Sequence, residues 1–341
     1  MPFSTIIGHR TTIASLQTAA ARQRLAHAYL LHGEAAIGKR TTALCFVQAL
    51  LCERSASDGG LDACGLCRSC HQIDTRTHPD YFLIEPDREL ATPQIKIEQI
   101  REIEQHLIYR PLIGDRKICM IDDADRLTIG AANALLKTLE EPPDHSLFLL
   151  ITSRPASLPA TIRSRCQALR FATPPRTDVE AALILKREMP PGDARFLAMI
   201  SEGRLGEALS TDLKAARLQQ QELIDLVSPH FLRSVTNLLT AAESLAKADR
   251  AADTLSWIAR WIRDLIIVQV DGDREQLLHV DQLSTLERDA RQAPTDALLD
   301  LLREIEDSQQ QATRHLNLQM ALENILLRLR DAVLSPASQP A

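Results

Sequence analysis

Five short apolar runs, AYLLHG (28–33), YFLIEP (81–86), KICMIDD (117–123), LFLLITS (147–153) and QALRF (167–171), are separated by segments with helical periodicity. Runs this apolar read as strands buried on both faces, and helices between them are what a parallel sheet needs to cover those faces. In IEQIREIEQHLIYR, Ile97, Ile100, Ile103 and Leu107 share one helical face. Residues 1–171 are therefore expected to form an α/β domain.

The pattern changes at ATPPRTD (172–178), a linker in which Pro174 and Pro175 interrupt regular structure. Residues 172–210 are expected to form a small helical domain. From 211 to 333, stretches such as DTLSWIARWIRDLIIVQV and LNLQMALENILLRLRDAVL predict an all-α bundle, followed by a disordered polar tail at 334–341. A length of 341 residues accommodates this division. The net charge of −6 argues against a broad basic face for nucleic acid. No apolar run approaches the roughly 20 residues that cross a bilayer, and the N-terminus lacks a signal-type core. A cytoplasmic location without membrane contact is the expectation.

LLHGEAAIGKRTTA (30–43) follows the first predicted strand and enters a predicted helix. Gly33, Gly38 and Lys39 fit a phosphate loop, where backbone N–H groups, a helix N-terminus and a lysine meet phosphate oxygens. Arg40 departs from the pattern, because a Ser or Thr hydroxyl normally holds magnesium there. Thr41 lies about 100° further around the helix and is no obvious replacement. In KICMIDDADRL, Asp122 ends a buried strand and can face the metal, while Asp123 stands where hydrolysing relatives have a water-activating Glu. Aspartate is one methylene shorter and places a base badly. A plainer reading has Asp122, Asp123 and above all Asp125 capping the next helix.

Cys52, Cys64, Cys67 and Cys70 fall in one excursion, CERSASDGGLDACGLCRSC. Two CxxC steps sharing Cys67, closed by Cys52, suit a tetrahedral four-thiolate zinc site, which leaves no open position and is structural. An iron–sulfur site is the rival, but no Cys-Pro follows. His71 and His78 are alternative ligands, more simply read as solvent-facing or core histidines. Cys45, Cys119 and Cys166 fall on predicted helix or strand positions and read as buried apolar residues.

HAYLLHGEAAIGK, IDDADRLTIGAANALLKTLEEPP, LFLLITSRPASLPATIRSRC and the four cysteines together resemble the clamp-loader AAA+ subunits of bacterial DNA polymerase III, and among them the delta-prime group. The resemblance covers most of residues 1–210 and implies an AAA+ P-loop sheet with a helical lid, followed by an all-α collar domain that holds a five-subunit ring. It implies gamma/tau and delta subunits, the sliding clamp and primed DNA as partners, and a zinc module at the cysteines. It also gives Arg165, in SRC, the role of an arginine finger projecting into a neighbouring subunit's ATP site. Read without that resemblance, Arg163 and Arg165 are solvated helix-end charges.

Active relatives carry a pattern like GSLREAL in the lid, whereas here GRLGEAL puts Gly206 at the arginine position, with Arg204 two residues earlier. Thr152 sits where the family has another polar sensor. Arg40, Asp123 and Gly206 are three departures affecting one site, and they count against ATP binding and hydrolysis by this chain. The alternative is an autonomous gamma-like ATPase.

Overall fold

A computed structural model describes residues 2–54, 61–89, 92–311 and 317–334. Residues 335–341, within the expected tail, and residues 55–60 of the cysteine excursion lie outside the described residues. The chain divides into two compact units, Met1–Thr211 and Asp212–Ala341.

The first unit runs α1 (Arg10–Ala21), β1 (Ala28–His32), α2 (Lys39–Leu51), α3 (Arg68–Asp74), β2 (Tyr81–Ile84), α4 (Ile97–Leu107), β3 (Lys117–Ile121), α5 (Ile129–Glu140), β4 (Ser146–Thr152), α6 (Ala160–Arg165) and β5 (Gln167–Arg170). Each strand occupies one of the five apolar runs. They form one parallel sheet in the order β2-β3-β4-β1-β5. The strand β1, which leads into the glycine loop, lies between β4 and β5.

Period-two alternation splits the strand side chains into two cores. Tyr29, Leu31, Met120 and Leu149 pack with Leu16 of α1 and Phe46 of α2. Leu30, Cys119, Ile121 and Leu150 face the other way, onto Ile100 of α4, Leu135 of α5 and Ile162 of α6. At about 1.5–3 kcal/mol per fully buried aliphatic side chain, these layers fix the strand ends on which the cleft is built.

Three helices follow within the same unit: α7 (Arg176–Arg187), α8 (Pro191–Ile200) and α9 (Leu205–Ser210). The expected linker is shorter than its reading from sequence. Pro175 does end the preceding segment, but its carbonyl accepts from Asp178 and Val179, so α7 starts at Arg176. Proline is compatible with a helix start because its φ is already near the helical value.

The second unit is helical: α10 (Leu213–Leu226), α11 (Pro229–Leu232), α12 (Val235–Lys247), α13 (Ala251–Gln269), α14 (Leu283–Ala290), α15 (Thr295–Gln311) and α16 (Leu318–Leu334). Leu238, Leu255, Ile262, Leu301, Ile305, Leu326 and Leu329 make its core. Asp212, Ser228 and Ser234 cap α10, α11 and α12 through side-chain oxygens. Among the described residues, no helix is long and apolar enough to cross a membrane.

Candidate functional site

The cleft is built at the C-terminal ends of β1, β3 and β4. Between β1 and α2 the chain turns through Gly33, where a Cβ would lie 2.3 Å from the Phe171 carbonyl oxygen. Only glycine fits so close an approach. Gly38 caps α2, and the buried Lys39 donates from Nζ to the carbonyls of Gly33, at 2.8 Å, and Glu34. Burial lowers the Lys39 pKa against the pull of Asp122, Asp123, Asp125 and Glu34.

Arg40, which stands where the loop pattern expects a magnesium-holding hydroxyl, brings its own positive charge. Its Nη1 lies 2.9 Å from Asp122 Oδ2 and 2.6 Å from Glu85 Oε1, and Glu85 Oε2 lies 2.6 Å from Arg76 Nη1. Ile84 pairs with Ile121 across β2 and β3, so Glu85 and Asp122 leave adjacent strands side by side. Two converging carboxylates repel unless a cation lies between them. Burial holds the Asp122 carboxyl above its ordinary range despite Arg40. At Glu85 burial acts in the same upward sense, but the hydrogen bond and charge of Arg40, joined by Arg76, outweigh it and hold the pKa below the ordinary value.

The neighbouring residues are also engaged. Asp123 has a left-handed backbone, φ 48°, and its half-exposed carboxylate lies 3.9 Å from Arg126. Thr152 donates to Asp125 Oδ1 at 2.7 Å, and Arg154 donates to Asp125 Oδ2 at 2.9 Å. Asp125 therefore ties down the end of β4; the cap of α5 is Thr128, which accepts from Ala131.

The lid closes on the loop by backbone contact. Gly206 at the start of α9 donates its N–H to the Ala36 carbonyl at 2.8 Å, and a Cβ there would meet that oxygen at 3.0 Å. Gly206 thus lets α9 come this near to the loop. Arg204 turns away, to Glu207 at 2.8 Å and the Ser201 carbonyl at 3.1 Å. A cleft of about 350 Å³ remains between loop and lid, lined by apolar Ile6, Ile7 and Leu209 and by charged Lys39, Arg40 and Asp122.

At the far end of α2, the Sγ atoms of Cys52, Cys64, Cys67 and Cys70 lie within 4.8 Å of one another. Cys52 and Cys67 are 3.9 Å apart. Sulfurs at roughly 2.3 Å from a tetrahedral zinc are separated by about 3.8 Å, so the donor set fits the ion. Backbone N–H groups of Leu66 and Cys67 point at Cys64 Sγ, at 3.5 and 3.3 Å. Led by the Leu66 amide, these contacts lower the Cys64 pKa to about 6, whereas burial raises the Cys52 and Cys70 thiols. His71 is exposed and His78 accepts from the Asp80 N–H; neither joins the cluster. Cys45, Cys119 and Cys166 are buried, and burial raises their thiols to about 11, 12 and 11.

Arg165 is the last residue of α6, on the surface of the first unit. Its Nη2 donates to Glu140 Oε1 at 2.6 Å and its Nη1 to the Thr161 carbonyl at 3.1 Å. Arg163 is exposed.

The family described as DNA polymerase III, delta subunit, matches residues 8–175, and the corresponding C-terminal family matches 207–331. The chain is 34% identical to DNA polymerase III subunit delta' of Pseudomonas aeruginosa over 262 residues, 75% of this chain and 76% of that one. To delta' of Yersinia pestis it is 33% identical over 287 residues, 82% and 81% of the two chains. The chain belongs to the DNA polymerase III delta-prime family. It is also 33% identical over 232 residues to the tau/gamma subunit of Haemophilus influenzae, spanning 66% of this chain but 33% of that longer protein.

In this delta-prime family member, sequence patterns single out Arg40, Asp122 and the cysteines, but not Glu85, Asp125 as an anchor for Thr152, or Glu140. Glu85 carried a usable signal. It follows an apolar strand just as Asp122 does, and parallel register makes two such residues neighbours. No comparable spacing marks Glu140, whose partner comes from another helix.

Proposed function

We propose that the chain is the delta-prime subunit of a DNA polymerase III clamp loader, working with gamma/tau and delta subunits to load the sliding clamp onto primed DNA. It hydrolyses no ATP itself and supplies Arg165 in trans to ATP held by a neighbouring subunit. The observation that carries this reading is the Arg40 guanidinium between Asp122 and Glu85, which occupies with a side chain the place where a hydrolysing relative needs magnesium. Asp123 and Gly206 support it, since neither offers the base or the phosphate-contacting arginine of an active site. In this role the helical second unit is the collar, and residues 172–210 are the lid.

Arg165 lies outside its own chain's cleft, at the end of a surface helix, as a group acting on an adjacent subunit requires. A guanidinium brought to a γ-phosphate stabilises charge in the transition state and accelerates transfer by orders of magnitude. Cys52, Cys64, Cys67 and Cys70 would hold a structural zinc, which supplies a cross-link and no chemistry.

The test is reconstitution with gamma/tau and delta subunits, clamp and primed DNA. Arg165→Ala should leave assembly intact and lower DNA-stimulated ATP turnover by about 10-fold or more. Unchanged turnover would remove the finger. Sustained magnesium-dependent hydrolysis by the isolated chain, abolished by Lys39→Ala, would instead favour the gamma-like ATPase that the retained Gly33, Gly38 and Lys39 suggest.

A further inference from the structure

A surface arginine that acts on a neighbouring subunit must be held in position before its target arrives. Arginine side chains have many rotamers, and an unrestrained one must be ordered during the reaction. Here the guanidinium has two anchors on separate nitrogens, the Glu140 carboxylate at 2.6 Å and the Thr161 carbonyl at 3.1 Å. Both anchors stand on fixed backbone. Glu140 is the last residue of α5 and follows the buried Leu139; Thr161 precedes the fully buried Ile162 in α6.

Stability does not account for this pair. The Arg165 and Glu140 side chains are 35% and 44% exposed, and an ion pair so open to water contributes little to folding. Its geometry is more informative. A guanidinium has five N–H donors. The two contacts leave Nε–H and a second N–H on each terminal nitrogen available, so the carboxylate orients the group without consuming it.

We propose that Glu140 is the positioning residue for Arg165, holding the guanidinium in one orientation so that a neighbouring subunit's phosphate meets a pre-arranged donor. This inference rests on the reading of Arg165 as a trans-acting group. Glu140 touches no reacting atom. It acts by reducing the reorganisation that accompanies the chemical step, and its loss should appear in kcat.

The experiment uses the complete reconstituted loader with clamp and primed DNA, and compares steady-state ATP turnover for Glu140→Ala, Glu140→Gln, Arg165→Ala and the Glu140→Ala/Arg165→Ala double variant. Glu140→Ala should lower kcat on the order of threefold to tenfold, with KM for ATP and subunit assembly unchanged. Glu140→Gln keeps an acceptor oxygen in the same place and should restore most of that loss. On the Arg165→Ala background, Glu140→Ala should cost nothing further, because the group it orients is gone. Full turnover by Glu140→Ala beside a defective Arg165→Ala would overturn the positioning role and leave the finger standing. Additive losses in the double variant would overturn it too. Normal turnover by Arg165→Ala would sink the finger and the positioning role together. Glu140→Gln, checked by its melting temperature, keeps the test decisive should Glu140→Ala fold poorly.

Discussion

The two ends of α2 make a natural pair, because each gathers groups that call for a cation and each meets the need differently. At its N-terminus, Asp122 and Glu85 converge and Arg40 supplies the charge from the chain itself. At its C-terminus, Cys52, Cys64, Cys67 and Cys70 present four sulfurs with spacing suited to a metal ion. A guanidinium is permanent and has a fixed shape, and it cannot offer the exchangeable coordination positions of magnesium. A thiolate cage depends on its ion for stability. On the proposed reading, the difference separates a site locked by a side chain from one that a metal ion would complete.

Breaking the thiolate end should have the largest effect on stability. Cys67→Ser should remove stoichiometric zinc, read by elemental analysis, and destabilise the first unit by several kcal/mol in denaturant titration. Retention of one equivalent of zinc with unchanged stability would discard the cage.

The arginine end should respond less. Arg40→Ala leaves Asp122 and Glu85 facing each other and should cost about 1–3 kcal/mol, discounted from a fully buried pair because Arg40 is 38% exposed. Arg40→Thr alone should not create magnesium-dependent ATP turnover, since Asp123 and Gly206 are unchanged. Measurable turnover would identify Arg40 as the sole block.

A substitution at Gly206 addresses how the lid closes that end. Gly206→Ala places a methyl 3.0 Å from the Ala36 oxygen, so α9 or the loop must shift. The expected cost is about 1 kcal/mol with faster exchange of the amide at position 206, whereas unaltered exchange would show that the contact tolerates a side chain.

The smallest effect is electrostatic and appears in acid. Because Glu85 is depressed in the folded state, its contribution to stability is fully present above pH 4.5 and fades as pH falls through the lower folded value. Asp122 is raised, so its protonation acts in the opposite sense and partly offsets that loss. Glu85→Gln should flatten the acid limb of the stability curve below pH 4.5; an unchanged limb would show that Arg40 does not hold this carboxylate.

Much of the fold was legible because its signals are local. Each apolar run became a strand, and Ile100, Ile103 and Leu107 turned one face of α4 to the sheet. The cysteine cluster was legible for the same reason, since ligands a few residues apart must converge when the chain turns between them. Arg40 showed in sequence as an intruder in a loop pattern. That it binds Glu85, 45 residues away, and Asp122, 82 away, depends on strand order.

By itself, then, the sequence determined which segments become strands and helices, where the phosphate loop lies and which thiols gather, because period, turn chemistry and spacing act between near neighbours. Tertiary structure decided what the altered loop became. It set Glu85 beside Asp122, closed Gly206 on Ala36 and joined Glu140 to Arg165. Each of these depends on the register of adjacent strands or the packing of separate helices, which fixes positions far apart in the chain to within a hydrogen bond's length.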